Sequence, residues 1–201
     1  MTTNTFSVTY DYRCPFARNA HEHVVAAKRS GVAWDVEYSP FSLTQVHVGE
    51  EGRPVWEDPG RDRDLLAIEA SIVVKEHHPE LFEEVHLGLF GARHDEGLDL
   101  RSREVVGAVL RSRGVEPSPV FDSIDQGWPR DAFRKAHEAA VAEYSVFGVP
   151  TFVIGTSAVF VRIMSRPGPD PTSSIEVINR VLELAAGHPE LNEFKHTTIP
   201  R

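Results

Sequence analysis

Residues 6–10, Phe-Ser-Val-Thr-Tyr, alternate apolar and polar side chains of aromatic and β-branched type, the period of a strand. After the turn Asp-Tyr-Arg the period lengthens. Phe16, Ala20, Val24 and Ala27 recur at helical spacing, Pro15 is tolerated in a first turn and Gly31 stops the run, which predicts a helix over 15–30. Alternation returns over 32–38 (VAWDVEY) and predicts a second strand. Two strands joined by one helix imply parallel pairing through a right-handed crossover.

The texture then changes. Residues 49–60 (GEEGRPVWEDPG) are turn-rich and charged, and read as the rim of an insertion. Apolar spacing close to 3.6, interrupted by glycine and proline, predicts helices over 62–77, 79–90, 102–113, 117–126 and 129–144. Two β-rich runs, 149–154 and 158–163, flank a turn at Gly155 and Thr156 and predict a hairpin. Ile175, Ile178, Val181, Leu182 and Ala185 stripe a last helix over 172–186, and a polar tail occupies 188–201. The order β-α-β, helical block, β-β-α predicts an α/β fold. Its thioredoxin-like core would take residues 1–44 and 146–201, interrupted by an α-helical insertion over 45–145.

Composition narrows the class. Hydrophobic residues make up 41% and charged residues 25% of the 201, with no run near the roughly 18 apolar residues of a membrane span, so a soluble protein without a membrane partner is expected. The opening MTTNTFSVTY lacks the basic start and apolar centre of a secretory signal, and a lone cysteine forbids an internal disulfide. Both point to the cytoplasm. A formal net charge of -9 argues against nucleic acid as partner.

That lone cysteine, Cys14, falls at the start of the first helix. There unpaired backbone N–H groups and the positive end of the helix dipole favour thiolate, so its pKa is expected to fall. Arg13 and Arg18 would add to the effect if turned toward the sulfur, and Asp11 would oppose it. The alternative is a small buried hydrophobe, the commoner role for a single cysteine. Ten histidines raise the question of a metal, but His21 and His23, two apart on a helix, point to different faces, and His77 and His78 read as a helix end. No metal site is expected. His94, Asp95, Glu96 and Gly97 read as a solvated turn rather than as polar groups over Cys14. Trp34, Trp56 and Trp128 read as packing residues, and neither a phosphate-binding loop nor a hydrolase elbow occurs.

Three stretches carry a family resemblance: "DYRCPF" after the first strand, "FGVPTFVI" before the hairpin and "LFGARHDEGLDL" in the helical block. Together they resemble the DsbA-like branch of the thioredoxin superfamily. The resemblance implies that Cys14 is an attacking thiolate flanked by Arg13, Pro15 and Phe16. It also implies that Pro150 follows a cis peptide opposite the sulfur, and that Val149, Pro150 and Thr151 form an edge for an extended thiol substrate. One position departs from the pattern, because Ala17 stands where a C-x-x-C dithiol has its second cysteine. An external low-molecular-weight thiol would then have to resolve any mixed disulfide. The expected activity is a monothiol thiol-disulfide oxidoreductase acting on a small thiol or disulfide, without a tightly bound cofactor, as a monomer or homodimer. Two other readings stay open. One is a thiol-cofactor-dependent transferase or isomerase, since kappa-class glutathione transferases and 2-hydroxychromene-2-carboxylate isomerases are fold relatives that typically carry serine at the helix start. The other is a non-catalytic ligand-binding protein.

Overall fold

Four strands, β1 (Thr5–Tyr10), β2 (Asp35–Pro40), β3 (Thr151–Ile154) and β4 (Ser157–Phe160), form one sheet in the order β2-β1-β3-β4. The computed structural model describes residues 5–48, 52–193, 195, 196 and 198. Residues 1–4 of the opening read for a secretory signal, Gly49, Glu50 and Glu51 of the turn-rich rim, and Phe194, Thr197, Ile199, Pro200 and Arg201 of the tail lie outside the described residues. β1 pairs in parallel with β2, Thr5 opposite Asp35 and Tyr10 opposite Pro40, and antiparallel with β3, Val8 opposite Phe152.

β1 lies inside the sheet, and its alternation does not separate core from solvent. Phe6, Val8 and Tyr10 are buried, and so is Thr9, whose hydroxyl accepts the Thr151 N–H at 2.8 Å. The crossover helix α1 (Pro15–Arg29) is likewise covered on more than one side, and each of its buried polar residues finds a partner. Asn19 donates to the Ile163 carbonyl at 2.9 Å, His21 bonds the Thr9 carbonyl at 3.1 Å, and His23 bonds Ser174 at 2.9 Å.

Between β2 and β3 the described chain is helical: a short α2 (Leu43–Val46), then α3 (Asp62–His77), α4 (Phe82–His94), α5 (Arg103–Ser112), α6 (Pro117–Asp125) and α7 (Trp128–Tyr144). α3 packs on α4, α6 and α7, while α4 lies on α1 and α7 on β2, so these helices are fastened to the sheet layer at two places. The last helix, α8 (Pro171–Gly187), packs on α1, β3 and β4. One apolar cluster runs from Phe6 through Val74, Leu89 and Phe133 to Ala185. Among the described residues no helix is long and apolar enough to cross a membrane.

Three elements differ from the sequence reading by three residues or more at an end. β2 starts at Asp35 rather than 32, because Gly31 takes a positive φ of 97° and Trp34 closes a turn onto Val32, sending its ring edge-on against Phe6. The helix expected over 79–90 is a 3-10 turn, Pro79–Leu81, leading into α4, which continues to His94. The second hairpin strand stops at Phe160. Beyond it Val161 donates to the Pro150 carbonyl at 3.2 Å and Ile163 accepts from Asn19, so the segment leaves β3 and follows α1.

Candidate active site

The loop between β1 and α1 is fixed by one carboxylate. Asp11, 2% exposed, accepts the N–H groups of Arg13 and Leu43, each at 2.9 Å, and the Arg13 guanidinium at 2.9 Å. Cys14 donates its own N–H to the Asp11 carbonyl at 3.0 Å and takes extended backbone angles, φ -92° and ψ 116°, as the N-cap of α1. Its sulfur does what a serine or aspartate oxygen usually does there, accepting the Ala17 N–H at 3.4 Å, while Pro15 fills the first helical position, where no N–H is needed.

On its other side the sulfur meets the distant segment. The thiol donates to the Val149 carbonyl at 3.3 Å, and the Val149–Pro150 peptide bond is cis. Thr151, buried, donates its hydroxyl to the Gly148 carbonyl at 2.8 Å and its N–H to Thr9, which anchors this loop to β1. The hydroxyl of Thr151 is therefore committed to the loop itself. Of the residues named from sequence, Cys14 and Val149 meet directly, Pro15 and Phe16 follow Cys14 in the first turn of α1, and Pro150 and Thr151 follow Val149 across the cis bond.

Arg13 does not join them. Its guanidinium faces Asp11 and a separate cleft of about 370 Å³ shared with Thr44, Arg53 and Arg61. Arg18 is also turned away, to Asp95 at 2.7 Å. The cation whose field reaches the sulfur is Arg162, which the sequence reading passed over as part of a strand. Its guanidinium carbon lies 5.4 Å from the centre of the Phe16 ring and 5.7 Å from that of Phe160. Phe147, 66% exposed, packs on Phe160 in turn. Gly148 lies beneath that ring, where an added Cβ would approach Phe160 to 3.2 Å.

The expected fall in the Cys14 pKa is overturned. Burial, with the residue 8% exposed, pushes the thiol up and outweighs the N–H groups of Ala17 and Phe16 that pull it down. Asp11 adds a further push, which Arg162 opposes. A helix terminus favours thiolate only as far as the low-dielectric surroundings of the sulfur permit.

Behind the loop runs a buried chain of hydrogen bonds. Tyr12 Oη lies 2.8 Å from His86 Nδ1, His86 Nε2 lies 2.9 Å from His21 Nδ1, and His21 Nε2 lies 3.1 Å from the Thr9 carbonyl. A carbonyl only accepts, so His21 must donate from Nε2, His86 must donate to His21, and Tyr12 must donate to His86. Burial holds both imidazoles neutral, lowering His21 to about 4 and His86 well below its usual range. His94, read from sequence as part of a solvated turn, instead ends α4 and donates to the Tyr12 carbonyl at 2.8 Å. Asp95 pairs with both Arg18 and Arg166. Among the described residues no group of three or more histidine, cysteine, aspartate or glutamate side chains is placed to hold a metal ion.

The fold that carries this site is shared with known structures. The 2-hydroxychromene-2-carboxylate isomerase structure superposes with a TM-score of 0.63 at 15% identity, covering 90% of this chain and 98% of that one. The cytosolic disulfide reductase DsbM from Pseudomonas aeruginosa with GSH gives 0.61 at 17% identity, covering 90% and 100%. DsbA of Pseudomonas aeruginosa gives 0.54 at 21%, covering 90% and 85%. At these identities the likeness is one of fold. No curated protein sequence matches the chain. The sequence itself matches the DSBA-like thioredoxin domain over residues 5–165, a span that takes in all four strands and the helices α1 to α7 but not α8, and the chain belongs to that family.

Proposed function

We propose that the protein is a monothiol thiol-disulfide oxidoreductase working through Cys14. The observation that carries the reading is the meeting of the Cys14 sulfur, capped by the Ala17 N–H, with the Val149 carbonyl just before the cis proline. Once deprotonated, Cys14 attacks a disulfide R–S–S–R′, forms the mixed disulfide Cys14–S–S–R and releases R′S⁻. Because Ala17 replaces the resolving cysteine, an external low-molecular-weight thiol attacks the mixed disulfide, leaving with the R group as a new disulfide and returning Cys14 as thiolate. A reducing compartment such as the cytoplasm supplies such thiols, and a chain with one cysteine suits it. The test is intact mass after incubation with glutathione disulfide. One glutathione should add at Cys14 and leave on addition of a free thiol, whereas a wild-type protein that takes up none would overturn the reading.

A second reading rests on the same sulfur. A thiol held protonated and already donating a hydrogen bond resembles, in chemistry, the serine hydroxyl of a transferase or isomerase that stabilises the thiolate of a bound cofactor. Tight binding of reduced glutathione, with thiolate absorbance appearing on the ligand and no mixed disulfide, would favour it.

A further inference from the structure

The position of Arg162 is over-determined. Its neighbour Val161 is tied to the Pro150 carbonyl and its neighbour Ile163 to the Asn19 side chain, so the residue between them is pinned to both halves of the sulfur site. Its guanidinium is bracketed by the Phe16 and Phe160 rings. Among the described residues no carboxylate pairs with it, although most of the other arginines around the site do have one: Arg13 has Asp11, Arg18 has Asp95, and Arg166 has Glu22 and Asp95. A planar fork flanked by aromatic rings keeps its N–H edge for an in-plane acceptor, and a carboxylate matches that edge.

We propose that Arg162 is a specificity residue that binds a carboxylate on the thiol or disulfide substrate of Cys14, so that the site prefers anionic partners. The inference rests on the thiol-exchange reading and names the substrate class for it. In the step concerned, the Cys14 thiolate attacks one sulfur of an aryl disulfide, and the other aryl thiolate leaves with the electron pair of the broken S–S bond. Arg162 changes no bond.

Two probes test it on the full chain: 5,5′-dithiobis(2-nitrobenzoate), which carries a carboxylate on each ring, and neutral 4,4′-dithiodipyridine. Both rates scale with the thiolate fraction, so any effect of Arg162 on the Cys14 pKa cancels in their ratio. Arg162→Gln should lower the anionic-to-neutral rate ratio about threefold, the scale of one exposed charge pair, and Arg162→Lys should restore part of it. High salt should shrink the wild-type ratio toward that of Arg162→Gln. An unchanged ratio in Arg162→Gln overturns the inference while leaving thiol exchange intact. So does a ratio that stays equally low in Arg162→Lys, which would assign the effect to ring packing. A wild-type sulfur inert to both probes overturns thiol exchange itself, and the role of Arg162 with it.

Discussion

The Cys14 sulfur lies 3.3 Å from the carbonyl oxygen of Val149, 135 positions away in the chain. Everything the site can do follows from that contact. It brings a helix terminus and a cis-proline loop to the same atom, and it buries the atom in doing so.

Burial sets the first expectation. The alkylation rate of Cys14 by iodoacetamide should rise with a midpoint above the roughly 8.5 of an ordinary thiol. The sign for stability follows. Over the interval from the unfolded to the folded pKa the unfolded chain holds fewer protons, so folding stability falls as pH rises through it. An acidic midpoint would show that the helix terminus prevails over burial after all.

Asp11 acts in two senses, which makes its variant informative. Asp11→Asn should destabilise the protein by roughly 1.5–3 kcal/mol through weakened charge-assisted bonds to Arg13 and Leu43. It should also lower the alkylation midpoint of Cys14, because a charge that opposed the thiolate is gone. Denaturant melts and the alkylation profile read the two effects separately.

Tyr12→Phe leaves His86 Nδ1 without its donor inside the core. A loss of about 1–3 kcal/mol in denaturant unfolding is expected, the cost of an unsatisfied buried acceptor. A variant as stable as wild type would mean that the phenol bond contributes nothing net.

The imidazoles set an acid limit. His21 and His137 titrate near 4 in the folded protein against about 6.5 when unfolded, and His86 is shifted the same way, in each case chiefly by burial. Below pH 6.5 the unfolded chain takes up protons that the folded one refuses, so stability falls as pH drops toward 4. Lys75, facing His86, adds to the resistance. Thermal melts between pH 7 and 4 should show a falling Tm that levels once the folded imidazoles protonate. Replacing His86 with an apolar residue should flatten the slope.

Ala17→Cys supplies the thiol that the motif lacks. After glutathione adds to Cys14, the introduced thiol should displace it and leave an internal disulfide, so the adduct no longer accumulates in intact-mass spectra. Persistence of the adduct would mean that buried Ala17 faces away from the path of attack.

Short-range pattern carried much of this architecture. The β-α-β opening, the run of helices and the final hairpin follow from periods of two and 3.6 and from glycine and proline stops, and Cys14 stood out because a strand and a proline flank it. Arg162 did not. Its segment reads as strand through 163, and only the turn of the chain after Phe160, fixed by Asn19 and Pro150, swings it to the sulfur. His21 and His86 were equally hidden, 65 residues apart, each reading as an isolated polar residue until packing joins them. Glu69 is similar: α3 is enclosed by other helices, so even this carboxylate is buried, paired with Arg130. The thiol pKa failed for another reason. A helix start is visible in sequence, whereas the depth at which it sits is a property of the assembled fold.

The row of bonds from Tyr12 to Thr9 has a single sense of travel, since reversing it would ask a carbonyl oxygen to give up a hydrogen it does not own. Two imidazoles in direct hydrogen-bond contact invite comparison with an acid-base relay, yet this arrangement is a one-way street with a closed end. The hydrogen on Cys14 points to a carbonyl as well, that of Val149, so neither arrangement offers a base, and the acceptor that collects it arrives from solvent or comes with the incoming molecule.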